Sequence, residues 1–183
     1  MRAAQKAFTL IELLIVVSLI TIITGALLPS FNNYIDAQNV KQAQEQVEDE
    51  LRTLQNKALN GENASVELAS GQVEYWGVEF ASGSTTYTTF IAVDTTACGG
   101  GATEDDNRDT IKTSSALPGN SEIISPITGC VFFSFENGDA AFSGGANTVI
   151  VGPPGAGSGD NTCRRVNIST NGRIEANSAT SCS

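Results

Sequence analysis

The run from Lys6 to Leu28, KAFTLIELLIVVSLITIITGALL, is apolar almost throughout and holds one acidic residue, Glu12. A carboxylate in such surroundings has one evident use. It can neutralise a cation that is also leaving water, because either charge alone is costly there. From Phe8 to Leu28 the chain offers no cation, and the nearest are Lys6 and Arg2. Pairing with Lys6 is the plain explanation.

Other residue sets invite chemical readings. Cys98, Cys130, Cys163 and Cys182 all follow the apolar run, and none forms a C-x-x-C pair, which argues against a zinc or thioredoxin-like site. An even count in an exported region points to two disulfides in an oxidising compartment. Three pairings are open. Cys98–Cys130 with Cys163–Cys182 is favoured because both loops then close locally. In DDNRD, Asp105, Asn107 and Asp109 alternate like the start of a calcium loop. Thr110 and Ala116 stand where an EF-hand needs Gly and Glu, so a solvated acidic loop is the better reading. Arg164, Arg165 and Arg173 are the one basic cluster of the second half.

The composition excludes more than it selects. Lys+Arg is 10 against Asp+Glu 20 in 183 residues, a net charge of −10. That balance disfavours nucleic acid, which needs clustered cations. There is no His, so the commonest general base and metal ligand is missing. Ser and Asp sit mostly in turn-like stretches. An enzyme is not expected, and no cofactor is called for, with calcium the only metal the spacing hints at.

These residues need elements to hold them. Phe8–Leu28 is about 21 residues, which as a helix at ~1.5 Å per residue matches the roughly 30 Å bilayer core. It is longer than a secretory signal's apolar core. Arg2 and Lys6 precede it and no Lys or Arg recurs before Lys41. By the positive-inside rule, the N-terminus is cytoplasmic and the remainder translocated in a single pass. Pro29 should kink or loosen the helix, the alternative being a stop. Beyond it Val40, Ala43, Val47, Leu51, Leu54 and Ala58 recur at helical spacing. That narrow stripe is expected to cover a downstream sheet rather than to form a coiled coil. Glu48 and Arg52 stand i, i+4, and Asn60–Gly61 supplies a helix end. A helix over residues 8–59 would run roughly 75–80 Å.

From residue 61 on, short β-branched and aromatic runs alternate with turns. Strands are expected near 66–68, 72–80, 86–93, 129–135, 140–142, 147–151, 164–169 and 173–175. ENGD and TNGR are expected as type I′ hairpin turns. ACGGGATEDDNRD and GPPGAGSGDN are expected as loops. Tyr75, Trp76 and Phe80 are expected to fill a sheet core rather than form a binding patch.

The stretch KAFTLIELLIVV resembles the N-terminus of type IV pilins and of the pseudopilins of type II secretion. That resemblance implies a prepilin leader of residues 1–7, cut by a prepilin peptidase between Ala7 and Phe8. It implies N-methylation of Phe8 and an assembly role for Glu12, which becomes the fifth residue of the mature chain. The family usually has Gly where this chain has Ala7, so slower processing is expected. YWGVEF, FFSFENGD and RRVNISTNGRIE resemble the H-type minor pseudopilin and related DNA-uptake minor pilins. The implied fold is α+β: a transmembrane half of the N-terminal helix over 8–28, an amphipathic half over 29–60, and an antiparallel β-rich, sandwich-like head over 61–183. The implied partners are the peptidase, other pilin or pseudopilin subunits, an inner-membrane assembly platform and the cytoplasmic membrane, with the head periplasmic or extracellular. Two alternatives stand beside this reading. One is a DNA-uptake minor pilin using Arg164, Arg165 and Arg173, against which Glu175 fills the place of a second arginine after the glycine turn. The other is a membrane-anchored binding domain that does not polymerise.

Overall fold

The computed structural model describes residues 9–96, 98, 108–156, 162–178 and 181–182, without the side chains of 26–33, 110–115 and 178. The chain divides into two compact units, Met1–Asp36 and Ala37–Ser183. One helix, α1 (Leu10–Leu59), includes Pro29 in its interior, which excludes the helix-stop reading. Its end is set by Gly61, at φ +64°. The Glu62 N–H bonds the Lys57 carbonyl at 3.0 Å and the Gly61 N–H bonds that of Ala58 at 2.9 Å. This is the Schellman arrangement, and a left-handed Gly at that place carries no Cβ penalty.

Among the described residues eleven strands follow: β1 (Glu67–Leu68), β2 (Gly71–Gln72), β3 (Tyr75–Ala81), β4 (Thr86–Ala92), β5 (Arg108–Ala116), β6 (Glu122–Ser125), β7 (Thr128–Ser134), β8 (Ala140–Ser143), β9 (Thr148–Gly152), β10 (Arg164–Ile168) and β11 (Ile174–Ser178). They form a β1–β2 ribbon, a sheet ordered β5-β4-β3-β7-β8 and a sheet ordered β11-β10-β9-β6. All pairings are antiparallel.

One core serves the helix and both larger sheets. Val40, Ala43, Val47, Leu51, Leu54 and Ala58 are each at most 1 % exposed. They join Trp76, Val78 and Phe80 of β3, Val131 and Phe133 of β7, Val149 and Val151 of β9 and Val166 of β10 in one cluster. The stripe therefore covers sheets. Trp76 and Phe80 fill this core and Tyr75 is half-buried on the opposite face. The Trp76 indole N–H also donates to the Glu62 carbonyl at 2.9 Å, with the Lys57 ammonium 4.6 Å from its ring centre. That fixes the end of α1 against β3. Polar side chains on α1 hold the rest: Gln44 donates to the carbonyls of Arg165 and Asn177, and Gln55 to those of Gly138 and Gly172. Arg52 pairs with Glu48 at 2.7 Å as the spacing predicts, and also reaches the Ile174 carbonyl.

Four expectations need correction. The loop expected over 97–109 takes in Arg108 and Asp109, and no strand is expected over 110–116, yet all nine residues form β5. RDTIKTSSA has little apolar alternation because it is an edge strand, paired only with β4 through two register shifts. β6 is four residues between prolines, too short to show a period. The single strand expected over 72–80 is two, because the chain changes partner from β1 to β4 at residues 73–74. The Asn–Gly turns are not type I′, which needs φ > 0 at both central residues. Only Gly138 (+72°) and Gly172 (+75°) are left-handed, not Asn137 or Asn171. In the second turn the Gly172 N–H bonds the Ser169 carbonyl at 2.8 Å and the Ser169 N–H bonds that of Arg173 at 2.9 Å. That is a three-residue loop with glycine at its bulge. The Asn oxygens accept from the backbone two residues on, at Asp139 and Arg173.

A Cβ on Gly172 would collide with the Gln55 amide and the Gly138 carbonyl, besides sitting at positive φ. Gly172→Ala is therefore expected to destabilise the head by about 1–3 kcal/mol. Urea titration of the full chain in detergent micelles should show the lowered midpoint.

Candidate functional site

Thr9 and Glu12 open the helix together. The Thr9 carbonyl accepts the Leu13 N–H at 3.3 Å, which makes Thr9 the N-cap and Glu12 the third residue inside. The Glu12 carboxylate accepts the Thr9 backbone N–H at 3.0 Å and the Thr9 hydroxyl at 2.9 Å. In return, the Glu12 N–H donates to Thr9 Oγ1 at 3.3 Å. This is a capping box, closed on the residues of one chain. It also sets a negative charge at the positive end of the helix dipole. The expectation that Glu12 has no partner within the apolar run is thus corrected. The missed signal was T-x-x-E immediately ahead of a hydrophobic run.

The other hydroxyls of the run hide their donors in the same way. Ser18 donates to the Ile15 carbonyl at 2.8 Å, Thr21 to Val17 at 2.6 Å and Thr24 to Ile20 at 2.8 Å. Polar groups satisfied by their own helix are those an apolar solvent tolerates. Around them every large apolar side chain from Leu10 to Ile23 is exposed. So wide an apolar surface calls for lipid or for partner helices. Among the described residues no helix is long and apolar enough to cross a membrane, and the described side chains of this run end at Gly25. Ala7, Phe8 and Lys6 lie outside the described residues, and the side chain of Pro29 is likewise undescribed.

In the head, the four cysteines form Cys98–Cys130 and Cys163–Cys182, the favoured pairing. The three arginines do not converge. Strand alternation sets Arg164, partnered with Val151, on the core side of β10 and Arg165, partnered with Ile150, on the other. Arg173 lies past the far end of β10 and pairs with Glu175. Asp105 and Asn107 lie outside the described residues, while Asp109 belongs to β5, opposite Ile91, and not to a loop. Among the described residues no group of three or more His, Cys, Asp or Glu could hold a metal ion.

Residues 2–28 match the family model of the prokaryotic N-terminal methylation motif. No match to the chain was found among curated proteins or among solved structures. The matched stretch contains Ala7, Phe8, the Thr9–Glu12 box and the exposed apolar turns that follow. That motif indicates a prepilin-type peptidase substrate and makes the chain pilin-like over these N-terminal residues.

Proposed function

We propose that this chain is a structural subunit of a type IV pilus or of a type II secretion pseudopilus. Prepilin peptidase removes Met1–Ala7 at the cytoplasmic face, Phe8 becomes the methylated N-terminus, and the helix holds the subunit in the inner membrane as a single pass. Assembly on the inner-membrane platform then transfers the apolar surface from lipid to neighbouring helices. Glu12 neutralises the new ammonium at Phe8 of an adjoining subunit and so sets the axial register. Pro29 loosens the helix between its lipid-facing half and the half that carries the head. The chain performs no chemistry of its own and is the peptidase's substrate. Two disulfides in the head fit an oxidising compartment beyond the membrane.

The observation that carries this reading is the coincidence of the methylation motif with a helix start whose acid is capped at its mouth and whose large apolar side chains from Leu10 to Ile23 are all exposed. Intact-mass and terminal-peptide mass spectrometry on the chain purified from cells that contain the peptidase tests it. The expected mature terminus is methyl-Phe8. A retained leader would reject the subunit and leave a non-polymerising membrane anchor.

A further inference from the structure

The sequence holds three Asn–Gly pairs, at 60–61, 137–138 and 171–172. In such a pair the asparagine amide is open to attack by the next backbone nitrogen, because glycine has no side chain to shield it. The structure treats the three asparagines differently. Asn137 is held through both atoms of its amide: its oxygen accepts the Asp139 N–H at 3.0 Å and its NH2 group donates to the Asp139 carboxylate at 2.8 Å. The Asn171 oxygen accepts the Arg173 N–H at 3.3 Å. The Asn60 side chain is exposed and, among the described residues, has no hydrogen-bond partner.

The attacking nitrogens differ as well. Gly138 and Gly172 are buried, the first against Leu59 and the second against the Gln55 amide, whereas Gly61 is exposed. Each glycine N–H donates to a backbone carbonyl: Gly61 to Ala58 at 2.9 Å, Gly138 to Ser134 at 2.9 Å and Gly172 to Ser169 at 2.8 Å. Of these bonds only that of Gly61 closes a helix end in contact with solvent, where local opening costs least. At Asn60 both reacting groups are therefore within reach of water and free to meet. At the other two pairs the amide is tied and the nitrogen is covered.

We propose that Asn60 is a site of spontaneous deamidation and that its conversion loosens the joint between α1 and β3. Hydroxide removes the Gly61 N–H proton and the nitrogen attacks Asn60 Cγ. A C–N bond forms, the Cγ–Nδ2 bond breaks, and the amide leaves as ammonia with a proton from water, which restores the hydroxide. Water then opens the succinimide at either carbonyl, leaving an aspartyl or isoaspartyl residue. The net change is one water consumed and one ammonia released, with no oxidant or reductant. The new carboxylate stands at the negative end of the helix dipole, one turn from Lys57, which now pairs with Glu62 at 3.2 Å. The isoaspartyl product also adds a carbon to the main chain ahead of Gly61. That displaces the Glu62 carbonyl from the Trp76 indole N–H, which it accepts at 2.9 Å.

The test is a time course of the full chain in detergent micelles at mildly alkaline pH, read by peptide mass spectrometry for the amide-to-acid mass change and by Trp76 fluorescence. Conversion at position 60 should run at least about tenfold ahead of 137 and 171, which the fold protects. In urea the three positions should react at comparable rates. Trp76 emission should shift in step with conversion. Asn60→Gln, whose longer side chain must close a larger ring, should show neither change. The assignment is overturned if position 60 stays unconverted, if 137 or 171 keeps pace with it in the folded chain, or if its lead persists in urea. An unchanged Trp76 emission in converted protein would overturn the loosened joint.

Discussion

Glu12→Gln should leave membrane insertion and leader removal intact and lower the recovery of subunits in sheared filaments at least about tenfold. Glutamine also serves at the third position of a capping box, so it can keep the contacts to the Thr9 backbone and hydroxyl that Glu12 now makes. What it removes is the charge. Thr9→Val makes the complementary cut: it takes away the hydroxyl that both donates to Glu12 and accepts its N–H, and keeps the carboxylate. A lost N-cap is a change of ~5-fold in a local equilibrium, so Thr9→Val should weaken assembly only modestly. Immunoblots of sheared and cell-bound fractions, with processing followed by mass, measure both. If Glu12→Gln assembled as wild type, charge pairing at Phe8 would be ruled out. If Thr9→Val were the more damaging of the two, the carboxylate would matter as a cap and not as a countercharge.

On the proposed reading, the capping box would let a subunit wait in a membrane with an acid in the first turn of its helix. While no neighbour is present, the Thr9 N–H and hydroxyl satisfy the carboxylate. An incoming ammonium must then compete with hydrogen bonds within one turn of the helix rather than with water. Exchange between two satisfied states avoids stranding a bare charge in lipid, the outcome that membrane energetics penalises.

What could be read from the residues follows a physical line. The stripe from Val40 to Ala58 was legible because a helix face against a core imposes its period on the sequence, and all six positions are buried. Local disulfide closure was legible as a preference, and the pairing is the one found. β5 was not legible, because an edge strand gains its stability from backbone bonds that leave little mark on side-chain types. The turn class at Asn137 and Asn171 was not legible either. Asn–Gly suits a two-residue I′ loop, but the same pair closes a longer loop when Asn caps the backbone with its side-chain oxygen and glycine alone goes left-handed. The dispersal of Arg164, Arg165 and Arg173 depends on strand register, which adjacency in sequence conceals. The Thr9 contact depends on where the helix begins, since only an N-cap presents its N–H and hydroxyl to a carboxylate three residues on.

Leu51→Ala should destabilise the head by about 2–5 kcal/mol, the range for emptying a fully buried leucine site. Leu51 is 0 % exposed in the cluster that joins α1 to both sheets, so the cavity would open between elements that other contacts still hold apart. Leu59→Ala removes the same atoms eight residues further along the same helix, where the side chain is 54 % exposed, and should change stability by less than about 1 kcal/mol. The pair controls for helix propensity, since Ala is at least as good a helix former as Leu at either position. Trp76 is the chain's one tryptophan and lies 1 % exposed in the same core, so its fluorescence in a urea titration reports this unit and not the apolar turns near Glu12. Equal, small effects from the two substitutions would mean that the head's sheets hold each other without the helix. A large effect from Leu51 alone would show that the second half of α1 is itself a wall of the head's core and not a linker to it.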